Sequence, residues 1–477
     1  MRRTEIDGVP VFWTGRRGGS HARLLFGVGL AHEAFLETGI THLVARLATR
    51  TGRCTGSAEA LHTTFEAPGG PEAAAERLRR VCLALGDLDT GPLDRDRGGL
   101  LAEEREMPDA TAWLPSALWF GNRAFGLAGN VRLAAGRVEP GRVREWATRW
   151  FHRGNAALVL SGPPPAGLTL PLPDGPRTRS RPSAEPFELP TPAYTTVTNG
   201  VVGCALVEWT AETACAAGIL IERLGNRLRC DVAFDHQRVD ARRAVVGFGA
   251  DVGDRHARRV VEVIRAELAG LAADGPTDDE LELDRAGLAE QIRGPDFAVY
   301  RAFDAALSEL TGFPPAAEHQ RGVLAGLAPA AVASAARDLA SQLVLGAPDR
   351  AVPRDLPELP GSPVPPPSGR EVKRALVGST SPRAHRLVVG DDGLTTYFGP
   401  TSVPAAVVRF DDLAGVGIEH TDGRLPILHL FGGHGGAITV RPGDWRGGRT
   451  LVRQLRARVD PAVCFETPES MRMFEQS

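Results

Sequence analysis

His42, Ala45 and Arg46 stand three and four residues apart in the stretch Gly39-Ile-Thr-His-Leu-Val-Ala-Arg-Leu-Ala-Thr-Arg50. On a helix that spacing makes them neighbours on one face. An imidazole in a first helical turn can ligate a metal or move a proton. A methyl at the next position does neither, and a guanidinium stays protonated and only donates. The face therefore offers one versatile group beside a fixed positive charge. His32-Glu33 lies just upstream, and His434 sits in Gly432-Gly-His-Gly-Gly436. A lone histidine in a loop or glycine turn is commoner as a tolerated polar residue than as a ligand, and both are read that way. Cys54, Cys82, Cys204, Cys215, Cys230 and Cys464 are scattered with no C-x-x-C pair. They read as free thiols rather than a disulfide framework or a metal site.

The helix that positions the first group is well marked. Ile40, Leu43, Val44, Leu47 and Ala48 fall at i, i+3, i+4, i+7 and i+8, one buried stripe. Arg23 to Leu30 reads as a strand and Ala31 to Thr38 as a loop leading into it. Strands at Val9–Thr14 and His62–Glu66, helices from Pro71 and near Leu100–Met107, and the helix Pro140–Phe151 complete an alternating unit. Val143, Trp146, Trp150 and Phe151 point inward, and the apolar strand Asn155–Ser161 closes the unit. Residues 162–193 carry ten prolines and read as a linker. A second unit, 194–350, repeats the plan: strands at 195–207, 232–234 and 244–252, and helices at 210–228, 254–273, 277–293 and 329–343. Thr277-Asp-Asp-Glu has capping-box spacing. A second proline-rich linker spans 351–376. From 377 to 477, turn signals at Gly390–Gly393, Thr421–Gly423 and Gly432–Gly436 separate short β-rich runs. A closing helix, Arg446–Val459, follows.

The 477 residues leave room for several cores, and hydrophobic and charged contents of 43% and 24% are ordinary for a globular chain. A net charge of -3 gives no electrostatic case for nucleic acid or an anionic membrane. From 375 to the end, 11 arginines meet 11 acids, so no phosphoinositide patch is implied. Lys373 is the only lysine among 55 basic residues. That reads as the base composition of a GC-rich bacterial genome. No apolar h-region follows the basic start, and no run of about 18 apolar residues exists. A cytoplasmic location is expected.

The strand, loop, glycine and helix with an early histidine resemble the opening of the insulinase/pitrilysin/processing-peptidase family, whose motif is H-x-x-E-H. Here it reads His42-Leu-Val-Ala-Arg46: the first ligand position is kept, the general base is Ala45, and the second ligand position is Arg46. The Phe-Gly segment, the helix ending in an aromatic pair and Asn155-Ala-Ala-Leu-Val-Leu-Ser161 also resemble the end of that family's first domain. The resemblance implies an α+β fold of two tandem lobes, 1–161 and 194–350. The final hundred residues look like a pleckstrin-homology-type barrel. The third zinc ligand would fall in Leu101-Ala-Glu-Glu-Arg-Glu-Met107, at Glu104 or Glu103, and an Arg46–Glu104 ion pair would fill the vacated site. Read without the resemblance, those glutamates are a solvated helix face. The family's substrate-gripping arginine would be Arg227 or Arg229, with the following Gly-x-x-Tyr deleted; alternatively both suit a helix C-terminus.

Catalytic zinc takes three protein ligands and an open position. At ~4 Å and an effective dielectric of ~20, Arg46 repels Zn²⁺ by about 8 kcal/mol. A good site is worth on the order of 10–16 kcal/mol in total. Ala45 takes no proton from water. The expectation is therefore a pseudo-peptidase without zinc or other cofactor. It would act as partner subunit of a zinc-containing relative, in a heterodimer, or as scaffold for a peptide or leader peptide added as a strand near Leu61–Glu66. The alternatives are a zinc metalloendopeptidase with a rearranged His42/Glu104 site and a purely structural subunit.

Overall fold

The computed structural model describes residues 1–467 apart from 16–20, 51–52, 104–109, 131–134, 178, 180, 183, 295, 400–401 and 421–424. The first lobe contains β1 (Arg2–Ile6), β2 (Val9–Trp13), β3 (His21–Phe26), α1 (Ile40–Thr49), β4 (Thr55–Ala58) and β5 (Thr63–Pro68), then α2 (Pro71–Gly86), α3 (Leu93–Glu103), α4 (Ala110–Phe120), α5 (Pro140–Trp150) and β6 (Ala156–Leu160). Its strands form one sheet in the order β1-β2-β6-β3-β5-β4. Both faces are buried, which makes the central strands continuously apolar. Leu24, Phe26, Leu158 and Leu160 face α1, α2 and α5, while Leu25, Ala157 and Val159 face the other way. The period of two sends alternate residues to two different cores.

The second lobe contains β7 (Ala193–Thr196), β8 (Val201–Glu208), α6 (Ala211–Leu228), β9 (Ala233–Arg238), β10 (Arg243–Ala250), α7 (Asp254–Asp274), α8 (Asp278–Arg293), α9 (Phe297–Thr311), α10 (Ala317–Ala325), α11 (Pro329–Ser341) and β11 (Val344–Ala347). Its sheet runs β7-β11-β8-β10-β9. The lobes exchange helices. Val299, Ala302, Ala306 and Leu310 of α9 cover the first sheet's outer face. Leu114, Trp119 and Phe120 of α4 lie with Val202, Cys204, Val245 and Val344 of the second sheet. A methyl at Gly247 would meet the Thr111 carbonyl oxygen at 2.5 Å, so the bare backbone lets α4 lie close.

Two expectations are corrected. Leu61–Glu66 is not a sheet edge: β5 is paired on one side by β3 and on the other by β4, and the edge is β4. The stretch 351–376 is not all linker. Its residues Gly369–Val372 form β12, paired antiparallel with β13 (His385–Gly390) through Gly369↔Gly390 to Val372↔Leu387. In the proline-rich stretch before β7, Leu168, Leu170 and Leu172 are buried in the first lobe's core.

β12 and β13 continue into β14 (Gly393–Phe398) and β15 (Ala406–Arg409), and a second sheet joins β16 (Leu413–Glu419), β17 (Ile427–Gly432), β18 (Ala437–Val440) and β19 (Cys464–Glu466). Leu387, Leu394 and Val408 share one core with Val416, Leu430, Ile438 and Leu451, Val452 and Leu455 of α12 (Gly448–Arg458). The turn expected at Thr421–Gly423 lies outside the described residues. This domain docks on the first lobe. Asn122 donates through Nδ2 to Gly432 O (2.8 Å) and through its backbone to Gly433 O (3.2 Å). Phe35 packs between Phe431 and Phe465, with ring centroids 5.1 and 6.2 Å away. Among the described residues no helix is long and apolar enough to cross a membrane.

Candidate functional site

α1 buries Ile40, Leu43, Val44, Leu47 and Ala48, the stripe read from the sequence, together with Thr41 and Ala45. Its N-cap is Gly39, in the left-handed region at φ 91°, and Gly39 has no side chain to accept from the free amides. Glu33 does this from the preceding loop. Its carboxylate accepts from Gly39 N (2.8 Å) and Thr41 N (2.9 Å). The Thr41 hydroxyl also bonds it, and that hydroxyl accepts from Trp146 Nε1 at 3.2 Å. Burial pushes the Glu33 carboxyl up to about 7, against the pull of these bonds. Three charge-assisted bonds do not fully replace the water lost by a buried carboxylate.

His42 and Arg46 share the less buried face of α1, while Ala45 is 1% exposed. A methyl built on Gly56 of the edge strand would lie 3.0 Å from both Cβ and O of Ala45. The helix thus lies against β4 at the position where the motif's base belongs. Arg46 reaches towards α3, since a methyl built on Gly99 would meet its Nη1 at 2.9 Å. One turn on, Arg50 pairs with Asp96 of α3 at 3.1 Å. Glu104, and with it the expected Arg46–Glu104 pair, lies outside the described residues. One imidazole, one methyl and one guanidinium do not match the donors of catalytic zinc. Among the described residues no three or more His, Cys, Asp or Glu side chains group as metal ligands.

Arg227 and Arg229 are not brought to α1. Helix α1 packs on β4, α2, α3 and α5, whereas α6 packs on α7, α10 and α11. Arg227 pairs with Glu267 of α7 at 2.8 Å. Arg229 is the left-handed C-cap of α6, at φ 53°, and its backbone N–H donates to Gly225 O. Both hold structural places at a helix end. His434 is more than a turn residue: it bonds Asp412 and stacks on Phe187, 5.3 Å between ring centroids. His32 Nδ1 accepts from Gly29 N at 3.1 Å.

The role of Glu33 escaped the sequence reading. Its only signal is an acid six residues before a glycine that opens a helix. A cavity of about 800 Å³ also escaped it, where the 31–37 loop, α5, Arg181, Pro182, Ala184 and the C-terminal domain meet. None of His42, Ala45, Arg46, Arg227 or Arg229 lines it.

No protein-family model and no curated protein matches the sequence. Solved structures do. An inactive domain of peptidase M16 from Pseudomonas fluorescens aligns over 73% of this chain and 97% of its own, at 13% identity and TM-score 0.57. A protease from Helicobacter pylori aligns over 73% and 99%, at 14% identity and TM-score 0.59. A chain of Complex III2 from Candida albicans aligns over 74% and 98%, at 12% identity and TM-score 0.58. The chain therefore has the mixed α and β fold of the insulinase-like M16 proteins, a fold that serves a protease, an inactive domain and a complex III subunit alike.

Proposed function

We propose that the chain is a pseudo-peptidase: a non-catalytic protein of insulinase-like fold that carries no zinc and works as the partner subunit or peptide-binding scaffold of a zinc-containing chain. The observation that carries this is Ala45, buried against Gly56 at the position of the motif's general base. A methyl there cannot activate water, and Arg46 one residue on repels a dication. The likeness to a peptidase M16 inactive domain supports the same reading. The partner is a bacterial, cytoplasmic relative with an intact H-x-x-E-H motif. The peptide, a leader peptide among the candidates, adds as a strand to β4, the free edge beside α1. The C-terminal domain, read as pleckstrin-homology-like, serves docking rather than lipid.

Affinity capture of the chain from its native cell, followed by mass spectrometry, tests this. Recovery of an H-x-x-E-H homologue in near-equal amount is expected. Recovery of the chain alone under gentle conditions contradicts it. A stable complex that binds no peptide would make the chain a structural subunit, a role the complex III likeness favours. Chelator-sensitive cleavage by the purified chain would restore the enzyme reading with His42 and Glu104.

A further inference from the structure

The cavity of about 800 Å³ between the first lobe, the segment carrying Arg181, Pro182 and Ala184, and the C-terminal domain is lined by none of His42, Ala45 or Arg46. Its apolar lining includes Phe35, Trp146 and Trp150, which are 5%, 3% and 9% exposed. Four acids, Glu33, Glu37, Asp411 and Asp412, and three arginines line it, and three of the acids are engaged elsewhere. Glu37 is taken by Arg142 (2.9 Å), Asp412 by His434, and Glu33 by the start of α1. The remaining acid, Asp411, lines the cavity together with Arg123, Arg149 and Arg181. Arg123 lies over the Phe187 ring at 4.5 Å and Arg149 over the Trp150 ring at 4.9 Å. Stacking occupies the face of a guanidinium and leaves its rim of N–H donors for carboxylates. The three arginines come from three separate elements: the turn after α4, helix α5, and the segment joining the lobes.

We propose that this cavity binds an acidic peptide segment, its carboxylates on Arg123, Arg149 and Arg181 and an apolar side chain between them against Trp146, Trp150 and Phe35. A pocket of this size at a domain junction suits a ligand with several groups. Separate guanidiniums above an aromatic floor suit spaced carboxylates around a side chain better than one small anion. The proposal needs neither the absence of zinc nor a strand on β4, so it can fail while the proposed function stands.

The test is fluorescence anisotropy on the full chain with a fluorescein-labelled peptide, Gly-Glu-Phe-Glu-Asp-Gly, and its amide counterpart, Gly-Gln-Phe-Gln-Asn-Gly. The acidic probe is expected to bind about tenfold tighter than the amide, and R149A/R181A to lose about tenfold in affinity. Arg149 and Arg181 are exposed, so that variant should fold. A34W is a second route: it fills the cavity from an exposed position, leaves every arginine in place and should also abolish binding. R227A, on the second lobe, should change nothing. Equal binding of the two probes, unchanged affinity in both R149A/R181A and A34W, or no binding at millimolar chain overturns the proposal. Displacement of the probe by inorganic phosphate but not by chloride at equal ionic strength would mark a small-anion site and overturn it as well.

Discussion

Each lobe starts its helical layer differently. In the second lobe, Thr210 caps α6 by itself, its Oγ1 accepting from Thr213 N at 3.2 Å. In the first, α1 begins at a glycine with no side chain, and the carboxylate of Glu33 reaches in from the loop to hold Gly39 N and Thr41 N. A local cap costs little and travels with its helix. A buried carboxylate fixes the helix to a loop, but its charge is expensive, as a carboxyl pushed up to about 7 records. The contrast teaches that α1 is held in place from outside, through Glu33 at its start and β4 along its length. α6 is an ordinary amphipathic helix. The helix that carries His42, Ala45 and Arg46 thus has a precise setting, fixed from a loop and from a strand.

The largest expected effect comes from placing a carboxylate at Ala45. A45E places a carboxylate at a 1% exposed position against Gly56. An unpaired buried charge should cost about 3–5 kcal/mol, read as a lower urea midpoint. Full stability in A45E would show that the face is still open. Next is pH. Glu33 releases its proton near 4.5 when unfolded and near 7 when folded. Its contribution to stability is therefore fully present below pH 4.5 and lost as pH rises through 7, about 3 kcal/mol in all. Urea midpoints across that range should show the fall, and E33Q should flatten it. Smaller still, E33A orphans two buried amides and should cost about 2 kcal/mol. T210A, which removes only a local cap, should cost about 1 kcal/mol. Equal losses in E33A and T210A would erase the contrast between the two helices.

What the sequence made legible followed from periodicity. The stripe of α1 and the inward set Val143, Trp146, Trp150 and Phe151 are all buried. Three features had no local signature. The exchange of α4 and α9 between lobes depends on which sheet each helix covers, and α4 has Pro115 inside it, which hides a helix from sequence patterns. β12 follows a proline run, so its strand character comes from its pairing with β13. The sheet edge was misplaced because Thr55–Ala58, Thr-Gly-Ser-Ala, has no alternating pattern, whereas Thr63–Pro68 does. Within the site, His42, Ala45 and Arg46 were legible as one helical face. Glu33 and the cavity arise from long-range packing and were not.

The most direct measurement is the zinc content of the purified chain after dialysis against trace zinc. The proposed pseudo-peptidase reading, with Ala45 and Arg46 where a base and a second ligand would stand, predicts a stoichiometry near zero. One tightly held zinc per chain would contradict that, and would mean that His42 coordinates together with ligands other than those of the motif.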